Sequence, residues 1–560
     1  MQTYPWHAQY PQGLRPEVKI DEFETLVDLI DNGLKKWADR PAYVNYDKEM
    51  SYAEIDEASA NFAAYLQNVV GLKKGDRIAI QMPNLLQFPI AMFGALRAGL
   101  TVVNTNPLYT AREMEHQFND SGATAIVVVS LYAAELQKIV AKTKIKTIIV
   151  TDLGDMMSGL KRPIMNFVVK NIKKMVPSYS LPTAVKFRDA LKEGSKHTYT
   201  TPDLTKDDLV FLQYTGGTTG VSKGAALKHR NLVAHAAIIE EWFQPQLSEG
   251  KQELVVTAIP MYHIFALSVN CLFMVNIGAK NLLITNPRDL PAYIKDLSKH
   301  KFSIMTGVNT LFNAMINHPD IGKVDFSSLK ACVGGGMAVQ KSVAEKWKQL
   351  TGCALVEGYG LSETSPVLCC NPLDGTERMG TIGLPVPNTE VKIMNEEGQE
   401  VAVGEPGELC ARGPQVFDGY YNRPEESAKC FFEGGWFRTG DIAEMSEDGF
   451  FKIVDRKKDM ILVSGFNVYP NEVEEAIMEN PKVLEVAAIG IPNEKSTEVV
   501  KVFVVRKDNS LTEDELIAFC RENMTGYKVP KAIEWRDELP KSNVGKILRR
   551  VLKEEEAAKA

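Results

Sequence analysis

The sequence predicts an α/β protein: a large N-terminal region of helix-covered, mostly parallel sheets, then an antiparallel β subdomain, then a small α+β C-terminal domain. Three observations support this. A chain of 560 residues is too long for a single core. Short apolar strands alternate with helices from Gly75 to about residue 335. Beyond about residue 380, short alternating strands are separated by Gly, Pro and acidic turns.

The first part of the chain predicts two successive strand–helix units. Residues 22–70 favour helix, with a strand at Pro41–Tyr46. From Gly75, the first unit consists of RIAIQM, the helix NLLQFPIAMFGALRAG and the strand TVVNTN. The second has a helix at Ala111–Asp120, followed by TAIVVV, the helix LYAAELQKIVAKT and KTIIVT. Further strands are LVVTAIP, NLLIT, FSIMTGV and LKACVGG, and this alternation is typical of parallel sheets covered by helices.

The second part predicts the antiparallel subdomain at about 380–454, from strands such as EVKIM, GELCARG and GFFKIVDR. Residues 455–560 are long enough to form a core of their own, so we predict a separate α+β domain there and an N-terminal domain at 1–454. In the C-terminal domain Asn471 is expected to cap a helix and Glu474 to reach back to it.

Composition excludes several classes of function. Hydrophobic residues make up 45% and charged residues 24%, as in ordinary globular proteins, and the net charge of −7 comes without a basic tail. Nucleic-acid binding is therefore not expected. The eight cysteines form no CxxC or zinc-spaced cluster, which indicates reduced thiols in a cytoplasmic protein. The stretch MQTYPWHAQYPQG has no pattern of a secretory signal.

One basic segment stands apart from the rest of the chain. No stretch reaches the ~20 apolar residues of a membrane span; Leu85–Val103 and Ile264–Ala279 are interrupted and predict buried elements. Residues 161–174, KRPIMNFVVKNIKK, carry five positive charges and no acid among Ile, Met, Phe and Val. They fit either an anionic membrane surface or a solvated helix whose apolar stripe packs on the domain. The second interpretation is favoured because such a stripe usually faces a core.

The glycine-rich segment Tyr214–Ala225, YTGGTTGVSKGA, is the most informative stretch. Its glycines let several backbone N–H groups converge on an anion, while its hydroxyls and Lys223 add donors and a positive charge. We predict a polyphosphate-binding loop that joins a strand at 208–214 to a helix from His229. A flexible surface turn is the alternative. The segment is not a Walker A loop, because its lysine is followed by glycine.

Three further segments carry residues suited to nucleotide chemistry. In EGYGLSETSP, Tyr359 offers a flat face to a base and Glu363 an oxygen ligand to Mg²⁺. In WFRTGD and GFFKIVDRKKD, Asp441 could accept hydrogen bonds from a ribose diol and Arg456 could contact ribose or phosphate. In PKSNVGKILRR, Lys546 could neutralise charge on a phosphoryl or acyl oxygen. Taken singly, each segment also fits a turn, a surface ion pair or a basic tail.

Together these segments carry a resemblance. The chain resembles the adenylate-forming acyl-CoA synthetase superfamily over about residues 20–555. The resemblance is carried by five stretches in this order: YTGGTTGVSKG, GYGLSET, WFRTGD, DRKKDMILVSGFNVYP and LPKSNVGKILRR. GVNTLFN, ITNPRDL and DFSSL resemble its bacterial long-chain fatty-acid–CoA ligase branch. The resemblance implies ligation of a long-chain fatty acid to CoA with ATP through an acyl-adenylate, in fatty-acid degradation and lipid metabolism, with Mg²⁺ as cofactor. It leaves open a homodimer and a peripheral contact with the cytoplasmic face of the inner membrane.

The resemblance also implies the residues that bind the substrates. The ATP phosphates would be held by the glycine-rich loop: Tyr214, Thr215, Gly216, Gly217, Thr218, Thr219, Gly220, Val221, Ser222, Lys223, Gly224 and Ala225. Thr218 and Glu363 match the Mg²⁺ positions. The rest of the nucleotide would contact Gly334, Gly335, Gly336, Tyr359, Gly360, Asp441 and Arg456. The pantetheine tunnel would be lined by Ser464 and Gly465.

Three residues are implied in catalysis. Lys546 would contact the acyl carboxylate and the α-phosphate, and His263 would lie near that carboxylate, although a core histidine with a satisfied ring is the alternative for His263. Lys458 matches a hinge about which a mobile C-terminal domain rotates, so that Lys546 faces the site for adenylation and leaves it for thioester formation. A peptide-synthesis adenylation domain, a luciferase-like oxygenase and a lipid carrier that uses nucleotide structurally remain alternatives.

Overall fold

A computed structural model describes residues 4–215, 222–464, 466–493, 496–542 and 545–559. Four sheets are formed within these residues: a seven-stranded and a nine-stranded sheet, both mostly parallel, and two five-stranded sheets, both mostly antiparallel. The predicted α/β architecture is confirmed.

The seven-stranded sheet is built from the first βαβ units of the chain. The strands up to residue 228 are β1 (Pro41–Asn45), β2 (Lys48–Ser51), β3 (Arg77–Gln81), β4 (Thr101–Asn104), β5 (Ala125–Val129), β6 (Thr147–Thr151), β7 (Val185–Lys186), β8 (Leu209–Thr215) and β9 (Lys223–Lys228). The helices are α1 (Leu26–Lys36), α2 (Tyr52–Tyr65), α3 (Gln87–Arg97), α4 (Ala111–Ser121), α5 (Ala133–Ile139), α6 (Lys161–Phe167), α7 (Phe187–Gly194) and α8 (His229–Phe243). The strand order of the seven-stranded sheet is β7-β6-β5-β3-β4-β8-β9. Within the described part of this sheet, only the β8–β9 pair is antiparallel.

The nine-stranded sheet brings two glycine-rich strand ends side by side. Its further strands are β10 (Leu254–Thr257), β11 (Lys280–Leu283), β12 (Ile304–Gly307), β13 (Ala331–Gly335), β14 (Leu355–Gly360), β15 (Val367–Cys370) and β16 (Leu384–Pro385), with helices α9 (Met274–Asn276), α10 (Leu290–Leu297), α11 (Asn309–Ile316) and α12 (Lys341–Thr351). The order is β16-β15-β14-β13-β12-β10-β11-β1-β2, parallel from β14 to β1. Gly334 therefore lies opposite Glu357, and Gly335 opposite Gly358.

The two smaller sheets follow in sequence. The first contains β17 (Glu390–Met394), β18 (Gly407–Arg412), β19 (Phe431–Phe432), β20 (Trp436–Met445) and β21 (Phe451–Arg456), all in antiparallel pairs, with helix α13 (Pro424–Ala428). The second contains β22 (Ile461–Val463), β23 (Phe466–Val468), β24 (Val483–Asn493), β25 (Thr497–Arg506) and β26 (Ala532–Arg536), with helices α14 (Pro470–Met478), α15 (Glu513–Asn523) and α16 (Arg549–Ala557). The predicted antiparallel region is confirmed, and the domain boundary at 454/455 stays a prediction.

The main hydrophobic core joins the two large sheets to helices α1, α2, α3 and α8. Phe62 of α2 and Phe88 and Phe93 of α3 are fully buried in it, and burying each such side chain stabilises the fold by about 1.5–3 kcal/mol. A separate cluster contains Val473, Val502 and Leu516, all from residues beyond 460. The C-terminal part of the chain thus has a core of its own.

The glycine-rich segment differs from its predicted setting. The expected strand–loop–helix arrangement is wrong, because the residues after the loop form strand β9, which pairs antiparallel with β8. Ala225 and Leu227 on β9 are fully buried, so pairing this segment with the sheet buries apolar side chains that a helix would have placed elsewhere. Helix α8 follows β9 and begins at His229, the residue at which the helix was predicted to start.

The predicted cap of α14 is also wrong. The helix begins at Pro470 with Tyr469 at the N-cap position, so Asn471 lies inside its first turn. The Asn471 N–H donates to Oδ2 of Asp455 at 2.8 Å, and Glu474 pairs with Arg549 instead of the N-cap. These longer-range partners displace the local capping box.

The basic segment 161–174 exposes its apolar side chains. Leu160, Ile164, Phe167 and Ile172 are 78%, 60%, 58% and 64% exposed. The favoured interpretation, an apolar stripe packed on the domain, is therefore wrong for these side chains, although Val169 is buried. Across the described parts of the chain, none of the helices combines the length and apolar character that a membrane crossing requires.

Candidate active site

A cavity of about 220 Å³ lies where the ends of β13 and β14 meet the β20–β21 pair and the C-terminal segment. Six of the predicted site residues line it: Gly336, Tyr359, Gly360, Asp441, Arg456 and Lys546. Segments more than 200 residues apart in sequence thus converge on one site.

Three of these side chains form a connected group. The Tyr359 hydroxyl donates to Oδ2 of Asp441 at 2.6 Å, and Arg456 Nε lies 3.4 Å from Asp441 Oδ1. Antiparallel pairing of β20 and β21 places Asp441 directly opposite Arg456. The carboxylate is only 5% exposed. Asp441 is thus a strand residue with two partners and not the turn aspartate of the alternative interpretation.

Lys546 lines the cavity just before α16, and hydrogen bonds anchor its backbone and that of Gly545. Ser542 N–H donates to the Lys546 carbonyl at 2.7 Å, and Thr310 Oγ1 of α11 donates to the Gly545 carbonyl at 2.9 Å. Arg288 donates to the Ser542 carbonyl. Burial, reinforced by the Arg456 guanidinium, lowers the pKa of Lys546 to about 7, although Asp441 opposes the shift. A bound anion would restore the charge of this lysine.

His263 lies close enough to Lys546 to sense its charge. Burial, together with that charge, lowers the pKa of His263 to about 4. Nδ1 accepts a long hydrogen bond of 3.4 Å from the Phe265 N–H. The ring is therefore neutral near pH 7, when it can orient a polar group but cannot supply a proton as an imidazolium.

The two ends of the glycine-rich loop belong to strands β8 and β9. Most of the residues between them lie outside the described residues: Gly216, Gly217, Thr218, Thr219, Gly220 and Val221. The Tyr214 hydroxyl donates to Asp120 at 2.7 Å. A Cβ on Gly224 would lie 3.1 Å from the Tyr214 ring, so glycine suits this position. Lys223 pairs with Glu426. Tyr214 and Thr215 end β8, while Lys223, Gly224 and Ala225 follow Ser222 on β9.

Glu363 is a buried carboxylate near the loop. It lies in a single 3₁₀ turn, Ser362–Thr364, is 6% exposed, and accepts a 2.7 Å hydrogen bond from Tyr420. Mg²⁺ in nucleotide enzymes is usually bound by one or two carboxylates plus substrate phosphates. A buried carboxylate close to the predicted phosphate-binding loop fits that donor set. Thr218, the other predicted Mg²⁺ residue, lies outside the described residues.

The glycines at the ends of β13 and β14 differ in their surroundings: some are needed for close packing, and one borders open space at the cavity. A Cβ on Gly334 would lie 2.4 Å from Val339 Cγ2, and one on Gly335 would lie 2.9 Å from Phe265 Cε1. The space beside these two glycines is thus filled by side chains, and neither lines the cavity. Gly336 has a φ of +77° and open space beside it. Gly360 packs against the backbone of Pro366.

The remaining predicted residues lie outside the cavity. Lys458 is exposed in the turn after β21, and Ser464 is exposed with a φ of +50°, its N–H donating to the Ser496 carbonyl at 2.8 Å. Gly465 lies outside the described residues. In this arrangement Lys458 and Ser464 do not line the cavity, although Lys458 lies close enough to Asp441 and Lys546 for their charges to interact.

Sequence reasoning missed several residues that line the cavity, namely Glu357, Glu475, Asn309, Thr310 and Asn313. Burial raises the pKa of Glu357 to about 8, although the Val339 N–H donates to this carboxyl at 3.0 Å. Its place two residues before Tyr359 in EGYGLSET was a usable signal. The α11 residues lie within GVNTLFN, a stretch that carried the family resemblance but to which no site role was assigned.

Comparisons with known proteins give a consistent result. The family model described as AMP-binding enzyme matches residues 30–421, and that of the AMP-binding enzyme C-terminal domain matches residues 472–546. The chain is 55% identical to a long-chain-fatty-acid–CoA ligase of Escherichia coli O157:H7, covering 99% of this chain and 98% of that protein. It is 52% identical to one of Haemophilus influenzae, covering 99% of each. A crystal structure of the anthranilate CoA ligase AuaEII with anthranoyl-AMP shares the fold, with a TM-score of 0.86 at 24% identity over 97% of this chain and all of that one.

Proposed function

The chain belongs to the AMP-binding enzyme family, and from this premise we propose how its site performs the reaction. The enzyme ligates a long-chain fatty acid to CoA, converting ATP to AMP and diphosphate through an acyl-adenylate. The observation that carries the site assignment is the convergence of Tyr359, Asp441, Arg456 and Lys546 on one cavity.

Adenylation requires two anions to meet, a carboxylate and the α-phosphate. Both Lys546 and Arg456 line the cavity; Arg456 supplies positive charge, and Lys546 gains its charge when an anion binds. We assign the ribose hydroxyls to Asp441 and the adenine face to Tyr359, because a buried carboxylate accepts from a diol and an aromatic ring stacks on a base. His263, neutral beside Lys546, would orient the fatty-acid carboxylate.

The cation and the loop complete this proposal. Glu363 and Thr218 would hold Mg²⁺, which when bound offsets phosphate charge. The loop Tyr214–Ala225 would bind the β- and γ-phosphates with backbone N–H groups. Lys223 must then exchange its partner Glu426 for phosphate.

Thioester formation needs a different environment at the acyl carbon. We assign the domain division to 454/455, the hinge to Lys458 and the pantetheine path to Ser464 and Gly465. Lys458 and Ser464 are exposed and lie outside the cavity in the present arrangement, so a rotation of the C-terminal domain is required to bring that face to the site.

The proposal is tested by diphosphate release with ATP, Mg²⁺ and CoA across fatty acids from acetate to oleate. We expect release to depend on the acid and to be fastest with long chains. The variant Lys546→Ala should lose this activity, whereas Arg550→Ala, an exposed neighbour on α16, should keep it. Absence of ATP consumption with every aliphatic acid would overturn the assignment, and light emission or oxygen consumption would favour an oxygenase.

We also propose that the surface at residues 160–175 rests on an anionic membrane. Its exposed apolar side chains are Leu160, Ile164, Phe167, Ile172 and Met175. Its cations are Lys161, Arg162, Lys170, Lys173 and Lys174, and none of them makes an ion pair with a described residue. Apolar side chains entering the interface beside unpaired cations are typical of peripheral membrane contacts. The homodimer stays a prediction.

Vesicle sedimentation tests this surface. The protein should bind vesicles that contain anionic phosphatidylglycerol, and binding should weaken as salt is raised. A variant with Ile164→Ser and Phe167→Ser should bind at least about tenfold less, since both lost side chains contribute buried apolar area. Val403→Ser, at a residue that is 52% exposed elsewhere, is the control. Equal binding by the double variant and the control would rule the surface out.

A further inference from the structure

We propose that Tyr420 is a positioning residue, which fixes the Glu363 carboxylate for the divalent cation that accompanies ATP. This inference rests on the proposed function, since that function supplies the cation. The hydroxyl donates to Glu363 Oε1 at 2.7 Å, although the two residues lie 57 positions apart in sequence. No motif that predicts the nucleotide site includes this tyrosine.

The backbone of Tyr420 is attached to the strand that leaves the glycine-rich loop. Tyr420 forms an isolated antiparallel bridge with Ala225. The Tyr421 N–H donates to the Gly224 carbonyl at 2.9 Å, and the Ala226 N–H donates to the Gly419 carbonyl at 3.2 Å. Tyr420 therefore contacts both features: its backbone binds the strand that follows the glycine-rich loop, and its hydroxyl binds the Glu363 carboxylate.

The Tyr420 ring is held independently of its hydroxyl. Phe417 contacts the ring edge-on at 5.1 Å between centroids, and the Phe417 N–H donates to the Glu363 carbonyl at 2.8 Å. Lys223 Nζ lies 5.3 Å from the ring centroid on another side. A phenylalanine would keep these ring contacts, so Tyr420→Phe removes only the interactions of the hydroxyl, which are the hydrogen bond to Glu363 and a contact with the Cys430 thiol.

The hydrogen bond matters because Glu363 is nearly buried and has few donors. Among the described residues, Tyr420 is the only side chain that donates to this carboxylate. Holding one oxygen selects a single carboxylate rotamer and leaves the other oxygen for the cation. Loss of such an outer partner typically weakens metal affinity or activity by about 10–100-fold.

Binding of Mn²⁺, a paramagnetic stand-in for Mg²⁺, tests the inference without turnover. Electron paramagnetic resonance would follow Mn²⁺ binding to the full-length protein with ATP and no fatty acid. We expect Tyr420→Phe to raise the dissociation constant of Mn²⁺ about tenfold or more. The free Mg²⁺ needed for half-maximal diphosphate release should rise likewise, while the melting temperature stays near that of the unmodified protein. Tyr421→Phe is the matched control and should behave like the unmodified protein, because within the described parts of the chain the Tyr421 hydroxyl donates no hydrogen bond to Glu363.

Two results would overturn the positioning role. Unchanged Mn²⁺ affinity in Tyr420→Phe would show that the hydroxyl is dispensable. A fall in melting temperature with an equal loss of metal-free ATP binding would show a purely structural role. The Mn²⁺ measurement contains no fatty acid, so it can fail or succeed independently of the diphosphate assay. If the unmodified protein bound Mn²⁺ and ATP but activated no fatty acid, the proposed function would be wrong while the role of Tyr420 could still be tested.

Discussion

The Tyr359 hydroxyl donates a 2.6 Å hydrogen bond to Asp441, so the residues assigned to adenine and ribose are joined before nucleotide binds. Tyr359→Phe keeps the ring but loses this bond. A hydrogen bond to a charged group contributes about 1.5–3 kcal/mol, of which the ribose hydroxyls replace part. We expect the KM for ATP to rise about 3–10-fold with kcat changed less, as measured by steady-state kinetics. An unchanged KM for ATP would show that the hydrogen bond between Tyr359 and Asp441 does not contribute to nucleotide binding.

Lys546→Ala should affect the two half-reactions unequally. The side chain lines the cavity with Asp441 and Arg456, where charge develops during adenylation. Removing one such contact typically costs about 10²–10³ in rate. Adenylate formation should fall by that factor, whereas thioester formation from supplied acyl-AMP should be largely spared. Equal losses in both half-reactions would contradict the assigned role.

ATP binding should take up a proton through Lys546. Its pKa of about 7 leaves it mostly neutral in the free protein at about pH 8, and a bound phosphate raises the pKa and recharges it. Calorimetry in buffers of different ionisation enthalpy measures the uptake. Lys546→Met should abolish this contribution. The same uptake in the variant would assign the proton to another group, with Glu357 as the next candidate, since its pKa is about 8.

Lys458→Pro should impair the CoA step more than adenylation. Proline fixes φ and so restricts rotation at the exposed turn after β21. Single-turnover assays of diphosphate release and of thioester formation would separate the steps. Lys457→Ala, at the neighbouring exposed residue, provides the control. Loss of diphosphate release alone would place the hinge elsewhere.

Gly360→Ala should destabilise the fold strongly. The new Cβ would lie 1.9 Å from the Pro366 carbonyl oxygen, and backbone there cannot move aside easily. We expect a loss of at least about 3 kcal/mol in the free energy of unfolding, measured by denaturant titration. Gly322→Ala is the control and should change little, because a Cβ at Gly322 would meet no heavy atom within 4 Å apart from its chain neighbours.

Local patterns were enough to predict most elements of the fold. Apolar runs such as AIVVV, now β5, and amphipathic runs such as α4 carry the period that their burial requires. Patterns failed where a distant partner decides the structure. The strand β9 exists because β8 and a buried core accept it, and Asn471 is bound by Asp455 from the preceding sheet.

The candidate site shows the same division. Asp441, Arg456 and Lys546 could be predicted because the ordered motifs that contain them resemble those of a known family, although each motif alone also fits a turn, a surface ion pair or a basic tail. Glu357 lies in a motif that was recognised, but no role was assigned to it. Its raised pKa results from burial, which the sequence alone does not reveal. Tyr420 and Thr310 could not be found, because their roles come only from bonds to Glu363 and to the Gly545 carbonyl.

The bonds that hold the C-terminal segment over the cavity use side-chain donors and backbone carbonyls. Thr310 donates to the Gly545 carbonyl, Arg288 to that of Ser542, and Asn313 to that of Leu484 at 3.2 Å. Each group is at least partly accessible, so solvent can replace every one of these bonds when the surfaces separate. When the C-terminal residues move away, hydrogen bonds to protein are then exchanged for hydrogen bonds to water, with little net change in free energy. Such a contact can form and break in every catalytic cycle without threatening either folded core.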